Sequence, residues 1–241
     1  MKALLVVPAR LGSTRFPRKV LAPLGGKPLV QWCWQAARAA GMGEVLVATE
    51  SQEVAQAVRS FGGEAVLTSP SCRSGSDRVH EAAKGRREEL IVNVQGDQPF
   101  LDPEAIRSTL LLLEREPSLD IATAVSPLTE RSKLEDANVV KVAMTEAGRC
   151  LYFSRAPIPF ERSPGALRWE HVGLYAFRRA ALGRFVALPP SPLELAESLE
   201  QLRALEAGMT ISAAVVSRSP LAVDVPRDLE RAQSMLAGRE R

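Results

Sequence analysis

The sequence predicts an α/β fold: a mixed, mostly parallel central sheet flanked by helices, with a small antiparallel extension. Three observations predict it. The first apolar run, Ala3 to Val7, shows no polar alternation, as expected of a parallel strand covered on both faces. Short apolar runs then alternate with segments of helical periodicity as far as Arg115, which is the rhythm of βαβ units. After Pro117 the pattern turns to closely spaced strands with few long helices, the mark of an antiparallel excursion.

The elements are expected in this order. A strand at 3–7 is stopped by Pro8, and a helix at 29–40 follows a Gly/Pro-rich turn. Strand 44–48, helix 52–61 and strand 64–67 continue the alternation. Helix 77–86 leads to strand 90–94, the expected centre of the sheet, then to loop 95–99 and helix 103–115. Strands are expected at 121–125, 139–144, 149–153 and 172–177. The Pro- and Gly-rich stretch between Pro157 and Trp169 denies regular hydrogen bonding and reads as a loop, a lid or a dimer contact. Leu195, Leu199, Leu202 and Leu205 suggest one long helix at 193–207, followed by strand 210–216 and a last helix at 226–237.

With 241 residues, 46% hydrophobic and 24% charged, the chain can bury one sizeable core. A net charge of +3 is too small to advertise nucleic acid. Cys33, Cys72 and Cys150 have no C-x-x-C spacing, and their odd number argues against a disulfide framework. Pro8 and Arg10 interrupt the first apolar run too early for a signal peptide or a membrane span. A reduced, cytoplasmic protein is the expectation, with no nucleic acid and no membrane insertion.

The positive charge is local. Lys2, Arg10, Arg15, Arg18, Lys19, Lys27 and Arg38 all precede the first acid, Glu44. Small residues, Gly12 and Ser13, lie among them just past a buried strand. That is where open α/β sheets bind ligands, and a cationic loop with accessible backbone N–H groups suits a polyphosphate. Asp97 follows strand 90–94, with Gly96 allowing a sharp turn. It suits Mg²⁺, which takes one or two carboxylates with phosphate and water, although a turn-forming role is also open. Asp224 reads either as the N-cap of the last helix or as a second metal anchor. Glu197, Glu200 and Gln201 share a face beside the leucines, as either a solvated face or a substrate contact. His171 reads as a structural residue or a ligand. No Walker A, Rossmann glycine fingerprint or nucleophile-elbow motif is present.

The segment Pro8-Ala9-Arg10-Leu11-Gly12-Ser13-Thr14-Arg15-Phe16-Pro17-Arg18-Lys19 is similar to the opening signature of the CMP-Kdo synthetase family, the 3-deoxy-manno-octulosonate cytidylyltransferases. Further matching blocks follow in order at 73–78, 92–97, 151–159, 171–175, 191–194, 199–203 and 223–224. The chain departs from the family at Gln98, where glutamate is usual, at Ala222 and Val225 beside Asp224, and in a short 160–169 loop.

This resemblance implies a Rossmann-like nucleotidyltransferase fold in a single domain over 1–241. Its nucleotide part would cover about 1–116, a sugar-binding and dimerisation excursion about 117–191, and a return to the main sheet about 192–241. It implies Mg²⁺-dependent transfer of CMP from CTP to the anomeric hydroxyl of Kdo, releasing pyrophosphate and feeding lipopolysaccharide synthesis, in a homodimer. Arg10, Ser13, Arg15 and Lys19 would hold the triphosphate. Lys19, Arg15 and Asp97 would be catalytic, and Asp97 and Asp224 the metal ligands. The Ala9 backbone, Arg73, Ser74, Arg78 and Gln95 would complete the nucleotide site, while Arg155, His171, Tyr175, Glu200 and Gln201 would read the sugar. Alternatives are the same chemistry on sialic acid, 8-amino-Kdo or a sugar phosphate, or a nucleotide sensor that turns nothing over. A glycosyltransferase would more naturally carry an Asp-x-Asp motif after the relevant strand, where there is none.

Overall fold

Strand β1 (Ala3–Pro8) is buried along its apolar length and opens a computed structural model that describes residues 2–13 and 15–239. By Cα packing the chain forms two units. Unit 1 runs to Ile106 and resumes at Pro220, while unit 2 is Arg107–Ser219.

In unit 1, β1 leads through a 3-10 turn (Lys19–Leu21) and the two-residue pair β2 (Pro23–Leu24) and β3 (Lys27–Pro28) to α1 (Leu29–Ala39). Then come β4 (Gly43–Thr49), α2 (Gln52–Ser60), β5 (Glu64–Leu67), α3 (Gly75–Ala82), β6 (Leu90–Asn93) and the start of α4 (Pro103–Arg115). The strands lie in the order β6-β1-β4-β5, all parallel. Because β1 is covered on both faces, every residue from Ala3 to Val7 is buried. Gly43 starts β4 where a Cβ would lie 1.8 Å from the Ala3 carbonyl oxygen, so only glycine permits this approach. Ser51 and Ser74 cap α2 and α3 by accepting the N–H groups of Val54 and Asp77. That cap starts α3 two residues before the expected Asp77, and the helix ends at Ala82 rather than Arg86.

In unit 2 the elements are β7 (Ile121–Pro127), α5 (Arg131–Glu135), β8 (Lys141–Met144), β9 (Cys150–Ser154), β10 (Trp169–Arg178), α6 (Arg179–Ala187), α7 (Pro192–Glu197), α8 (Gln201–Glu206) and β11 (Ile211–Val215). Strand β7 lies between β11, parallel to it, and β10, antiparallel to it. Strands β8 and β9 add an antiparallel pair. The α/β class with a mixed, mostly parallel sheet and a small antiparallel part is thus the observed one. The final helix, α9 (Pro226–Arg239), belongs to unit 1.

The expected single helix at 193–207 is two helices. Ser198 adopts a left-handed backbone, φ 52°, which ends α7. Leu195 is 69% exposed whereas Leu199 and Leu202 are buried, so the leucines do not form one stripe. The carbonyls freed at the break are taken by Arg155, whose Nε–H donates to Glu197 O at 2.7 Å and whose Nη2 meets Ser198 O at 3.4 Å. Among the described residues no helix is long and apolar enough to cross a membrane.

Candidate active site

A cleft of about 300 Å³ opens in unit 1 at the carboxyl ends of β1 and β6. Pro8 and Gly96 meet at its floor, where a Cβ on residue 96 would come within 2.6 Å of the Pro8 carbonyl oxygen. Glycine therefore lets the loop after β6 cross the end of β1 and present Asp97.

The cationic loop is held in shape at several points. The Ser13 hydroxyl accepts from Phe16 N–H at 3.4 Å, and Arg18 N–H donates to Leu11 O at 3.3 Å. Phe16 packs with Trp32, Phe100, Leu221 and Leu229 around buried Leu24, Leu29, Val223 and Ala232. Arg18 takes a left-handed conformation, φ 58°, and its guanidinium pairs with Glu53. The chain then turns so that Lys19, only 12% exposed at its side chain, enters the cleft.

Lys19 Nζ lies 2.9 Å from Asp97 Oδ2 and 3.2 Å from Asp224 Oδ1, and Arg15 Nη2 lies 3.2 Å from that same Asp224 oxygen. Two carboxylates separated widely in sequence therefore converge on one ammonium. Val223 N–H donates to Asp97 O at 2.8 Å, which ties the returning segment to the loop after β6. Asp228, not Asp224, serves the start of α9: its Oδ2 accepts from the N–H groups of Asp224 and Val225, both at 3.0 Å. Asp224 is left to face Lys19 and Arg15.

Arg10, Ser13, Arg15, Lys19, Arg73, Ser74, Arg78, Gln95, Asp97 and Asp224 all line this cleft. Ala9, between the lining residues Pro8 and Arg10, is buried, with its N–H donated to Ala48 O at 2.8 Å. Ser74 and Gly75 bring the N-terminus of α3 to the wall. Exposed Arg73 reaches Asp77 at 3.3 Å, whereas Arg78 is buried and bonded to Thr68 Oγ1 at 2.5 Å. Cys72 also lines the cleft, but burial and neighbouring Glu81 push its thiol up to about 11, so it is no thiolate at neutral pH. Cys33, Cys72 and Cys150 are all free.

Glu50 is the residue the sequence did not single out. It follows β4, and its Oε1 accepts from Leu11 N–H at 2.9 Å while its Oε2 pairs with Arg78 Nη2 at 3.0 Å. One carboxylate thus joins the cationic loop to the opposite wall. Its only sequence signal is an acid directly before the Ser51 cap, which is a weak one. Glu50→Gln keeps the shape but weakens the ion pair; a tenfold rise in KM for the nucleotide with kcat changed less is expected, about the worth of one charge-assisted hydrogen bond. Steady-state kinetics over a nucleotide titration checks this.

The remaining predicted residues are in unit 2. His171 is neutral, because burial pushes its imidazole down to about 3. Its ring meets Phe153 and Tyr175 at centroid distances of 5.1 and 5.3 Å. Burial, with Glu200 and Cys150 nearby, raises the Tyr175 phenol well above its usual range. Gln201 is buried at the start of α8 with Nε2 lacking a protein partner. A buried amide left this way is unusual and suits a ligand group.

Arg155 Nη1 donates to Ala137 O at 2.8 Å, in addition to its two bonds at the α7–α8 break, which leaves one N–H on each terminal nitrogen. Lys141 is fully buried, and its Nζ donates to Asp136 O at 3.0 Å, Val139 O at 2.7 Å and the carbonyl of Arg155. Three such bonds, at about 1.5–3 kcal/mol each, are of the same size as the several kcal/mol needed to desolvate the ammonium.

Such a cleft, with a cationic loop facing two carboxylates at the carboxyl ends of parallel strands, defines a nucleotide-handling α/β protein of the nucleotidyltransferase class. The family model described as Cytidylyltransferase matches residues 4–211. A 3-deoxy-manno-octulosonate cytidylyltransferase of Azorhizobium caulinodans is 50% identical over 245 residues, covering 98% of this chain and 96% of its own length. Another so named, of Elusimicrobium minutum, is 44% identical with 97% of each chain covered. The solved structure of a CMP:2-keto-3-deoxy-manno-octonic acid synthetase complexed with CTP is 38% identical and matches with a TM-score of 0.95, over 99% of this chain and all of its own. The chain belongs to the cytidylyltransferase family, in the group whose curated members are named 3-deoxy-manno-octulosonate cytidylyltransferase.

Proposed function

We propose that the enzyme transfers CMP from CTP to the anomeric hydroxyl of 3-deoxy-D-manno-octulosonate (Kdo), releasing pyrophosphate. The observation that carries this reading is the convergence of Lys19, Arg15, Asp97 and Asp224 in the unit 1 cleft. The relatives' names supply the acceptor, and the CTP in the related structure supplies the donor.

Arg10, Ser13, Arg15 and Lys19 bind the triphosphate, and Arg15 and Lys19 stabilise charge on the departing pyrophosphate. Ala9, Arg73, Ser74, Arg78 and Gln95 enclose the nucleoside, with the Arg78 wall fixed by Glu50. In unit 2, His171, Tyr175, Glu200 and Gln201 take the sugar hydroxyls, and the uncommitted N–H groups of Arg155 take its carboxylate.

Among the described residues no three His, Cys, Asp or Glu cluster to hold a metal. Asp97 and Asp224 nonetheless fit Mg²⁺, whose coordination is completed by phosphate and water rather than by a protein cage. When bound there, Mg²⁺ supplies charge neutralisation and polarisation of the α-phosphate, lowering the pKa of the attacking hydroxyl. The protein's own contribution is to hold both carboxylates at one point through the Val223–Asp97 backbone bond and the Asp228 brace. The product would serve lipopolysaccharide assembly in the cytoplasm, and the enzyme would act as a homodimer.

Pyrophosphate release with CTP, Mg²⁺ and Kdo, run beside N-acetylneuraminate, 8-amino-Kdo and a no-sugar control, tests the proposal. Release with Kdo, at least tenfold faster than with the other sugars, is expected. Faster release with another sugar overturns the acceptor, and binding of CTP without release in any arm makes the protein a sensor.

A further inference from the structure

We propose that Thr123 is a positioning residue for the acceptor: from opposite a bulge in β10 its hydroxyl fixes His171 in the Nε2–H form, leaving Nδ1 to accept a hydrogen bond from a substrate hydroxyl. The step to substrate rests on the acceptor-sugar reading above.

The bulge is a break in register. Along β10, Val172 pairs with Ala124 and Tyr175 pairs with Thr123, so Gly173 and Leu174 are extra. In a regular strand, residues 171 and 175 would stand about 13 Å apart. Here the His171 and Tyr175 ring centroids are 5.3 Å apart. Bulges re-aim side chains in this way, and they concentrate beside active sites.

Thr123 is fully buried and sits at the bulge, where its Oγ1 lies 2.7 Å from Leu174 O, 3.4 Å from Val172 O and 2.9 Å from His171 Nε2. A threonine hydroxyl has one proton and two lone pairs, and carbonyl oxygens only accept. The proton therefore goes to Leu174 O, the nearest acceptor. Contact with Nε2 then requires that the imidazole donate. A neutral imidazole carries a single N–H, so Nδ1 holds a lone pair. Phe153, with its ring centroid 5.1 Å from that of His171 at an interplanar angle of 76°, completes the setting of the ring.

His171 is thereby made selective for a donor. It takes a sugar hydroxyl and repels a carboxylate or phosphate oxygen, so it does not act as a cationic anchor for the acid group of the acceptor.

The chain has only two histidines, His80 and His171, so ¹⁵N–¹H correlation spectra of the full-length protein report the tautomer directly, with His80→Gln giving the assignment. A pyrrole-type Nε2 and a pyridine-type Nδ1 on His171 are expected in the parent and in Thr123→Ser, with a mixture in Thr123→Val. In steady-state assays Thr123→Val should raise KM for the acceptor about tenfold and leave KM for CTP within twofold, with Thr123→Ser close to the parent. An Nδ1–H parent overturns the proposal, as does a Thr123→Val protein that keeps the parental tautomer. A changed tautomer with an unchanged acceptor KM overturns the link to substrate and traces the fault to the acceptor assignment, since the spectra do not depend on turnover.

Discussion

Replacing Asp97 by asparagine should cut turnover about a thousandfold while weakening CTP binding far less, a loss near 4 kcal/mol from the transition state. The substitution keeps size and shape, and its amide oxygen can still meet Lys19, which now lies 2.9 Å from the carboxylate. The Val223 N–H bond goes to the backbone carbonyl of residue 97, so the returning segment stays docked. What disappears is one negative charge at the point where two carboxylates converge. On the proposed function, ground-state affinity would rest mainly on the surrounding cations, whereas the carboxylate pair would act on the reacting phosphorus through the Mg²⁺ it would hold. Calorimetry with CTP, alongside kcat at saturating CTP and acceptor, separates the two effects. Parental turnover would exclude Asp97 from the chemistry.

Lys19→Ala should slow pyrophosphate formation in a single turnover by about a hundredfold or more, the scale set by losing one buried charge-assisted donor at a reacting group. Lys19 is 12% exposed at its side chain, whereas its neighbours Arg15 and Arg18 are 63% and 60% exposed. A shielded charge is less screened by solvent, so its loss is felt more than theirs. The lysine also separates Asp97 from Asp224, and its removal leaves two carboxylates in mutual repulsion. A Lys19→Arg protein, which retains charge but not the compact ammonium, should recover part of the rate. Rapid-quench measurement with enzyme in excess over CTP reads the step itself, and a parental rate for Lys19→Ala would remove its leaving-group role.

Much of unit 1 was legible because its signals are local. An unbroken apolar run, a glycine at a strand end and a crowd of cations can each be read within a dozen residues, and the cleft gathers Arg10, Ser13, Lys19 and Asp97 as the chain order suggested. Asp224 was ambiguous because a carboxylate before a helix fits a cap equally well. Only the folded chain shows Asp228 taking that duty. Glu50 was invisible because its partners, Leu11 and Arg78, are distant in sequence. The helix break at Ser198 was hidden for a different reason: the leucine spacing continues across it, while the left-handed residue is sustained by Arg155 reaching in from elsewhere. The bulge in β10 left only Gly173 as a trace, and the hydroxyl that stabilises it comes from β7.

The backbone bond from Val223 to Asp97 gives the site an order of assembly. The cationic loop, Asp97 and every strand of unit 1 precede Asp224 in the chain, with the whole of unit 2, Arg107–Ser219, synthesised between them. A chain halted before Asp224 has Lys19 and Asp97 but lacks the second carboxylate that Lys19 meets in the complete cleft. Truncation ahead of Val223 is therefore expected to remove the second carboxylate and its brace together, and with them the activity proposed above.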